Sequence, residues 1–162
     1  MKGPTDIPGP TEYRSDLPNA LREAARAIMD EAGPDGVGLR ETARRVGVSA
    51  TAAQRHFASK ECLLASVAAE GFRELAAAMD AVASGSDPLG GIGLAYFDFA
   101  LRKRGLFRLM FGPILVERTK YPELNGAASA VFGLLQRVVV SADELPREDG
   151  AARTGLVMAS AR

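Results

Sequence analysis

At 162 residues the chain is long enough to bury about 70% of the surface an unfolded chain exposes, so a core without covalent staples is within reach. Its 20 basic residues balance its 20 acidic ones, and the lone cysteine, Cys62, excludes an internal disulfide, while no Cys/His spacing suits a metal. The polar, proline-rich start and the lack of an apolar run near the roughly 20 residues of a membrane span predict a soluble, cytoplasmic protein that crosses no membrane.

Residues 1–12, with Pro4, Pro8 and Pro10, are too poor in apolar side chains to order themselves and read as a flexible arm. From Asp16, an N-cap, with Pro18 in the first turn, the set Leu21, Ala24, Ala25, Ile28, Met29 and Ala32 recurs at three- and four-residue steps and predicts an amphipathic helix ended by Gly33-Pro34. A short second helix follows over Leu39 to Val46, with Leu39, Ala43 and Val46 inward and Arg40, Arg44 and Arg45 largely off that face. Gly47 supplies the turn, Val48 an apolar plug, and Ser49 caps a third helix running to about Phe57. Two short helices joined by so tight a turn cross steeply and present the second one outward. Between Leu39 and Lys60 five basic residues face one acid, Glu41, a local charge of +4 on a neutral chain, which suits salt-sensitive binding to a phosphate backbone.

Ser59 caps a long connecting helix from Lys60 to about Ala83, with Leu63, Leu64, Val67, Ala68, Phe72, Leu75, Met79 and Val82 inward, and the run Ser84 to Pro88 breaks the chain. The next helix, Leu89 to Arg104, carries Ile92, Tyr96 and Phe99 on one side and Leu94, Phe97 and Leu101 on another, so it should be buried on both. Asp98 and Arg102 stand four apart in the favourable order for a surface pair. Gly105 is the expected break before a short aromatic helix, Leu106 to Phe111, stopped by Gly112-Pro113. A less regular stretch reaches Pro122. Then Leu124, Ala127, Ala128, Val131, Phe132, Leu135, Val138 and Val139 mark another helix, and after a polar break at 143–150 a last helix starts at Ala151 and reads as incomplete. No stretch alternates with the period of a strand, and the chain is expected to be all-α: a three-helix helix-turn-helix domain over 13–60, joined by the long helix to a helical ligand-binding and dimerisation bundle within 61–162.

The run from Tyr13 to Leu75, above all GVGLRETARRVGVSATAAQRHFASKECLL from Gly36 to Leu64, resembles the TetR-type DNA-binding domain. The likeness is carried by Arg40 to Ala43, the turn Gly47 to Ser49, the group Arg55-His56-Phe57 and then Ser59-Lys60-Glu61. Farther on, YFDFAL at Tyr96 to Leu101 and GLFRLMFG at Gly105 to Gly112 are similar to the branch whose C-terminal domain is named after a Trp-His-Gly motif, although that tripeptide does not occur in the chain. Gln54 stands where most members carry tyrosine in the recognition helix.

With the third helix in a major groove, Ala50, Thr51 and Gln54 point at base edges, and Gln54 can bond adenine at two points. Ser49 and Arg44 border that surface. The resemblance implies that Arg40 reaches DNA and that Arg55, His56 and Lys60 lie where family members touch phosphate, Lys60 at a helix N-terminus that favours anions. It also implies an effector pocket among bundle helices, for which Tyr96, Phe99, Phe107, Met110, Phe111 and Phe132 supply the aromatic and soft surface. The reading is thus a cytoplasmic, homodimeric repressor on a palindromic operator in double-stranded DNA, released by a small, largely apolar effector, with no cofactor and no enzymatic activity. Two symmetry-related recognition helices would lie about 34 Å apart, and the last two helices, from Leu124 to Val140 and from Ala151 onward, would form the dimer face. The alternative is a helical interaction or ligand-binding module that does not bind DNA. An enzyme has little footing, since the single histidine and single cysteine come with no nucleophile elbow and no phosphate-cradling glycine loop.

Overall fold

The computed structural model describes residues 16–115 and 117–144, and among them there are seven α-helices and no strand. Helix α1 spans Leu17–Ala32, with Pro18 in the first turn and Asp16 at the N-cap position, where its carboxylate makes no capping hydrogen bond. Its buried stripe is Leu21, Ala25, Ile28 and Met29; Ala24 is only half-buried and Ala32 is exposed, so the stripe is narrower than the sequence pattern implied. Gly33 leaves the helix at φ 75°, a left-handed value that glycine tolerates without a Cβ penalty, and its N–H donates to the Met29 carbonyl. A 3-10 turn over Pro34–Gly36 leads to α2, Leu39–Val46.

Thr42, fully buried in α2, satisfies its hydroxyl by donating to the Gly38 carbonyl at 2.9 Å. Gly47 ends α2 in the left-handed region, φ 77°, ψ 27°, and the N–H of Val48 returns to the Ala43 carbonyl at 3.0 Å. Helix α3 covers Ala50–His56, capped as expected: Ser49 Oγ accepts from the Ala52 N–H at 3.1 Å. Phe57 falls just outside it, buried at the junction with α4.

Helix α4, Lys60–Asp80, starts on a second serine cap, Ser59 Oγ accepting from Cys62 N–H. Every inward residue expected on it is buried except Val82, which lies in the turn beyond the helix end and is half-buried. This helix is the axis of the fold: it packs against α1 on one side and against α5, α6 and, most extensively, α7 on the others. Helix α5, Pro88–Arg102, follows the break at 84–87, where Asp87 Oδ1 accepts from Gly90 N–H at 3.0 Å.

The junction after α5 departs from expectation. The break falls at Lys103, whose N–H closes α5 on the Phe99 carbonyl at 2.9 Å and whose carbonyl opens α6 by accepting from Phe107 N–H at 2.8 Å. Gly105 therefore sits inside α6, Arg104–Phe111, against the backbone of α1: a Cβ there would stand 3.0 Å from the Met29 carbonyl oxygen. Its glycine serves close packing, not chain reversal. Two 3-10 turns, Pro113–Leu115 and Arg118–Lys120, occupy the irregular stretch before α7, Pro122–Glu144.

Two further expectations need correction. The second apolar side of α5 is not covered, since Leu94, Phe97 and Leu101 are 73%, 65% and 65% exposed. And the segment Pro122–Ser141, at mean hydropathy 1.2, is long and apolar enough by composition to span a bilayer; here it lies on α4 through Leu124, Ala127, Ala128, Val131 and Leu134. The helix expected from Ala151 and the arm over 1–12 lie outside the described residues.

Candidate nucleic-acid interface

Helix α3 is held by one narrow inward edge. Ala53 is fully buried and Phe57, four residues on, is 8% exposed, which fixes the tilt of the helix against α1 and α2. The opposite edge is therefore open: Thr51, Gln54, Arg55 and His56 are exposed, and Ala50 is half-buried at the N-terminus. Ser49 uses a lone pair for the cap and keeps its hydroxyl hydrogen for an outside acceptor.

The flanking cations are less uniform than their sequence suggests. Arg40 is exposed on α2 and, like Arg55, has no ion-pair partner among the described residues. Arg44 is engaged: its Nε and Nη2 donate to the two Glu41 carboxylate oxygens at 2.8 and 2.7 Å. Arg45 turns away to Glu31 at the end of α1, a bidentate pair at 2.7 and 2.6 Å, with a third bond to Glu41 at 3.2 Å. The Arg44 and Arg45 hydrogen bonds hold the Glu41 carboxyl down at about 2 against an ordinary 4.5, and the Arg45 bond lowers Glu31 as well. Lys60 Nζ donates to the Asp35 carbonyl at 3.0 Å, at the α4 end of the same surface. Glu31 is the participant that sequence reasoning missed. It lies 14 residues from Arg45 and outside the basic window, and its only signal was its position in the last turn of α1.

The residues expected to line an effector pocket divide. Tyr96, Phe107 and Phe111 meet edge-on or tilted, with ring centroids 5.4 Å (96–107), 6.0 Å (96–111) and 4.7 Å (107–111) apart, and Phe72 of α4 joins them at 5.3 Å from Phe111. Phe99 is buried on α5, with Lys103 Nζ 5.7 Å from its ring centre, and Met110 is fully buried at the α4 glycine Gly71. Phe132 is 53% exposed on α7 and takes no part in these ring contacts. The rings thus fill the space between α4, α5 and α6. Open volume is found outside them, including a cleft of about 360 Å³ bordered by Phe107 and Phe111 on one side and Pro34-Asp35 on the other.

Among known proteins, residues 21–67 match the family of bacterial regulatory proteins of the tetR type, and residues 89–161 match the tetracyclin repressor-like C-terminal domain. No curated protein matches the chain significantly. Among solved structures, a protein of unknown function from Rhodococcus sp. RHA1 is 31% identical, with 79% of this chain and 68% of that one covered at a TM-score of 0.70. A tetR family transcription regulator from Shewanella sp. PV-4 is 23% identical, with 78% of this chain and 69% of that one covered at a TM-score of 0.63. The TetR family transcriptional regulator PfmR from Thermus thermophilus is 22% identical, with 86% of this chain and 80% of that one covered at 0.55; these last two are likenesses of fold. With both halves matched in order and an outward third helix flanked by cations, the chain belongs to the TetR family of transcriptional regulators, DNA-binding proteins and not enzymes.

Proposed function

We propose that the chain is a cytoplasmic repressor that binds a palindromic operator as a homodimer and leaves it when a small, largely apolar effector binds. The observation that carries this reading is the mounting of α3: Ala53 and Phe57 anchor one edge, and Thr51 and Gln54 stand free on the other. Residues 13–60 act as the DNA-binding head, with Ala50, Thr51 and Gln54 at base edges. Ser49, Arg40, Arg55, His56 and Lys60 hold the flanking phosphates, contacts that position the head without reading sequence, while Arg44 stands beside them held by Glu41. Residues 61–162 bind the effector and the second copy, with Tyr96, Phe99, Phe107, Met110 and Phe111 as the surface from which an apolar site is built and Phe132 on the outer face of α7. Release follows from linkage, because an effector with higher affinity for a conformation of weaker DNA affinity shifts the population toward it.

Selection of bound sequences from a random duplex library tests the reading. A two-fold symmetric consensus with half-sites one helical turn, about 34 Å, apart is expected. No enrichment over the starting pool would overturn it.

A further inference from the structure

The cleft of about 360 Å³ lies where the first helix pair meets the bundle, and its walls come from both. Pro34 and Asp35 of the turn after α1 form one side; Phe107, Arg108, Phe111 and Ile114 form the other. Its size falls in the range of small-molecule sites, and its lining mixes polar and apolar surface in nearly equal parts. Phe107 and Phe111 are half-buried: their inner sides complete the ring cluster with Tyr96, which leaves their outer sides for the cleft. Arg108 is exposed on the last turn of α6, has no ion-pair partner among the described residues, and brings its Nη1 within 3.9 Å of where a Cβ on Gly33 would stand. The charged residues lining the cleft are one cation, Arg108, and one acid, Asp35, whose backbone carbonyl accepts from Lys60.

We infer that this cleft is a binding site for a planar aromatic carboxylate, its ring against Phe107 and Phe111 and its carboxylate on the fork of Arg108. The inference rests on the effector reading above and places a ligand outside the filled aromatic core. An occupant here touches the DNA-binding face by a short route, because Asp35 forms a wall of the cleft and its carbonyl holds Lys60, the cation at the end of that face. A guanidinium is suited to the task, since it presents two parallel N–H groups to a carboxylate and stacks on rings.

The test titrates the full chain, labelled for amide NMR, with 1-naphthoate and with the neutral 1-naphthalenemethanol. Shifts concentrated on residues 33–36 and 107–114 are expected, with naphthoate bound about tenfold more tightly than the alcohol, the usual scale of one charge-assisted contact. Arg108→Glu removes that preference, lowering the affinity for naphthoate far more than that for the alcohol with the melting temperature unchanged, and Asp35→Asn tightens naphthoate binding. Shifts on the inner faces of α4, α5 and α7 would overturn the cleft but leave an effector-controlled regulator standing. Full naphthoate affinity in the Arg108→Glu chain, or no shifts at millimolar naphthoate, would also overturn it. Operator release by any other ligand would then keep the regulatory reading separate.

Discussion

Glu41 accepts hydrogen bonds from two arginines at once, and that shared carboxylate sets how much positive charge α2 offers to a polyanion. Its pKa is depressed from 4.5 to about 2, so its ion pairs are complete above the unfolded value of 4.5 and are lost only as pH falls through about 2. Across the physiological range Arg44 is therefore half-committed to its own helix. Glu41→Gln removes the charge and frees Arg44 for phosphate. On a random-sequence duplex the slope of log K against log salt should steepen by about 0.9, the increment for one more neutralised phosphate. Fluorescence anisotropy across a salt series from roughly 50 to roughly 200 mM measures it. The melting temperature should barely move, because exposed pairs contribute little to stability. An unchanged slope would mean that Arg44 stays off the backbone. Much of this surface was legible in the sequence: the glycine turn, both serine caps and the exposure of Thr51 and Gln54 follow from local pattern. The sorting of the arginines was not, because Glu31 reaches Arg45 from a different helix and helical periodicity says nothing about neighbours across a turn.

Among the elements, the α5–α6 junction shows how a glycine misleads. Gly93 and Gly105 look alike in sequence, each a weak point in a helical run, yet their surroundings differ. A Cβ at Gly93 meets nothing within 4 Å, whereas one at Gly105 would press on the Met29 carbonyl oxygen at 3.0 Å. Gly93→Ala should stabilise the chain by up to about 1 kcal/mol through helix propensity alone. Gly105→Ala gains the same propensity but must push a backbone oxygen, and overpacking of this kind costs about 1–3 kcal/mol, so the net change should be a loss of about 1 kcal/mol. Urea unfolding of the two variants checks the opposite signs, and stabilisation by both would show that α1 yields at Met29. Charged pairs also tie α1 to α4 and to this junction: Arg22 and Arg26 pair with Glu70, Arg26 with Glu74 at 2.7 Å, and Glu74 with Lys103. Burial raises the Glu74 pKa, but Lys103 and Arg26 together lower it by more, so the carboxylate stays ionised at neutral pH. None of these pairings has a local spacing that sequence alone would reveal.

For the molecule as a whole, the question is what covers its remaining apolar faces. The pattern of α5 and α7 was legible, since both helices carry more apolar positions than one buried stripe needs, but periodicity identifies a face and not its occupant. On α7 the inner stripe is taken up by α4, and Phe132, Val139 and Val140 remain 53%, 51% and 51% exposed. Phe132 and Val139 stand seven residues apart, two helical turns, on one line along the helix. A face of this kind suits a two-fold contact in which each helix lies across its own copy. The chain should sediment as a dimer at micromolar concentration. The double substitution Phe132→Asp and Val139→Asp places charges in the centre of that contact, where a central apolar anchor typically carries about 2 kcal/mol or more, and should weaken dimerisation by about thirtyfold or more. Dimer loss should then weaken binding to a full palindrome far more than binding to a single half-site, because only the dimer engages both halves at once. Sedimentation equilibrium with and without the substitutions decides it: a single-chain mass for the unsubstituted protein, or a dimer that survives both aspartates, would remove α7 from the interface and leave the outer side of α5, with Leu94, Phe97 and Leu101, as the next face to test.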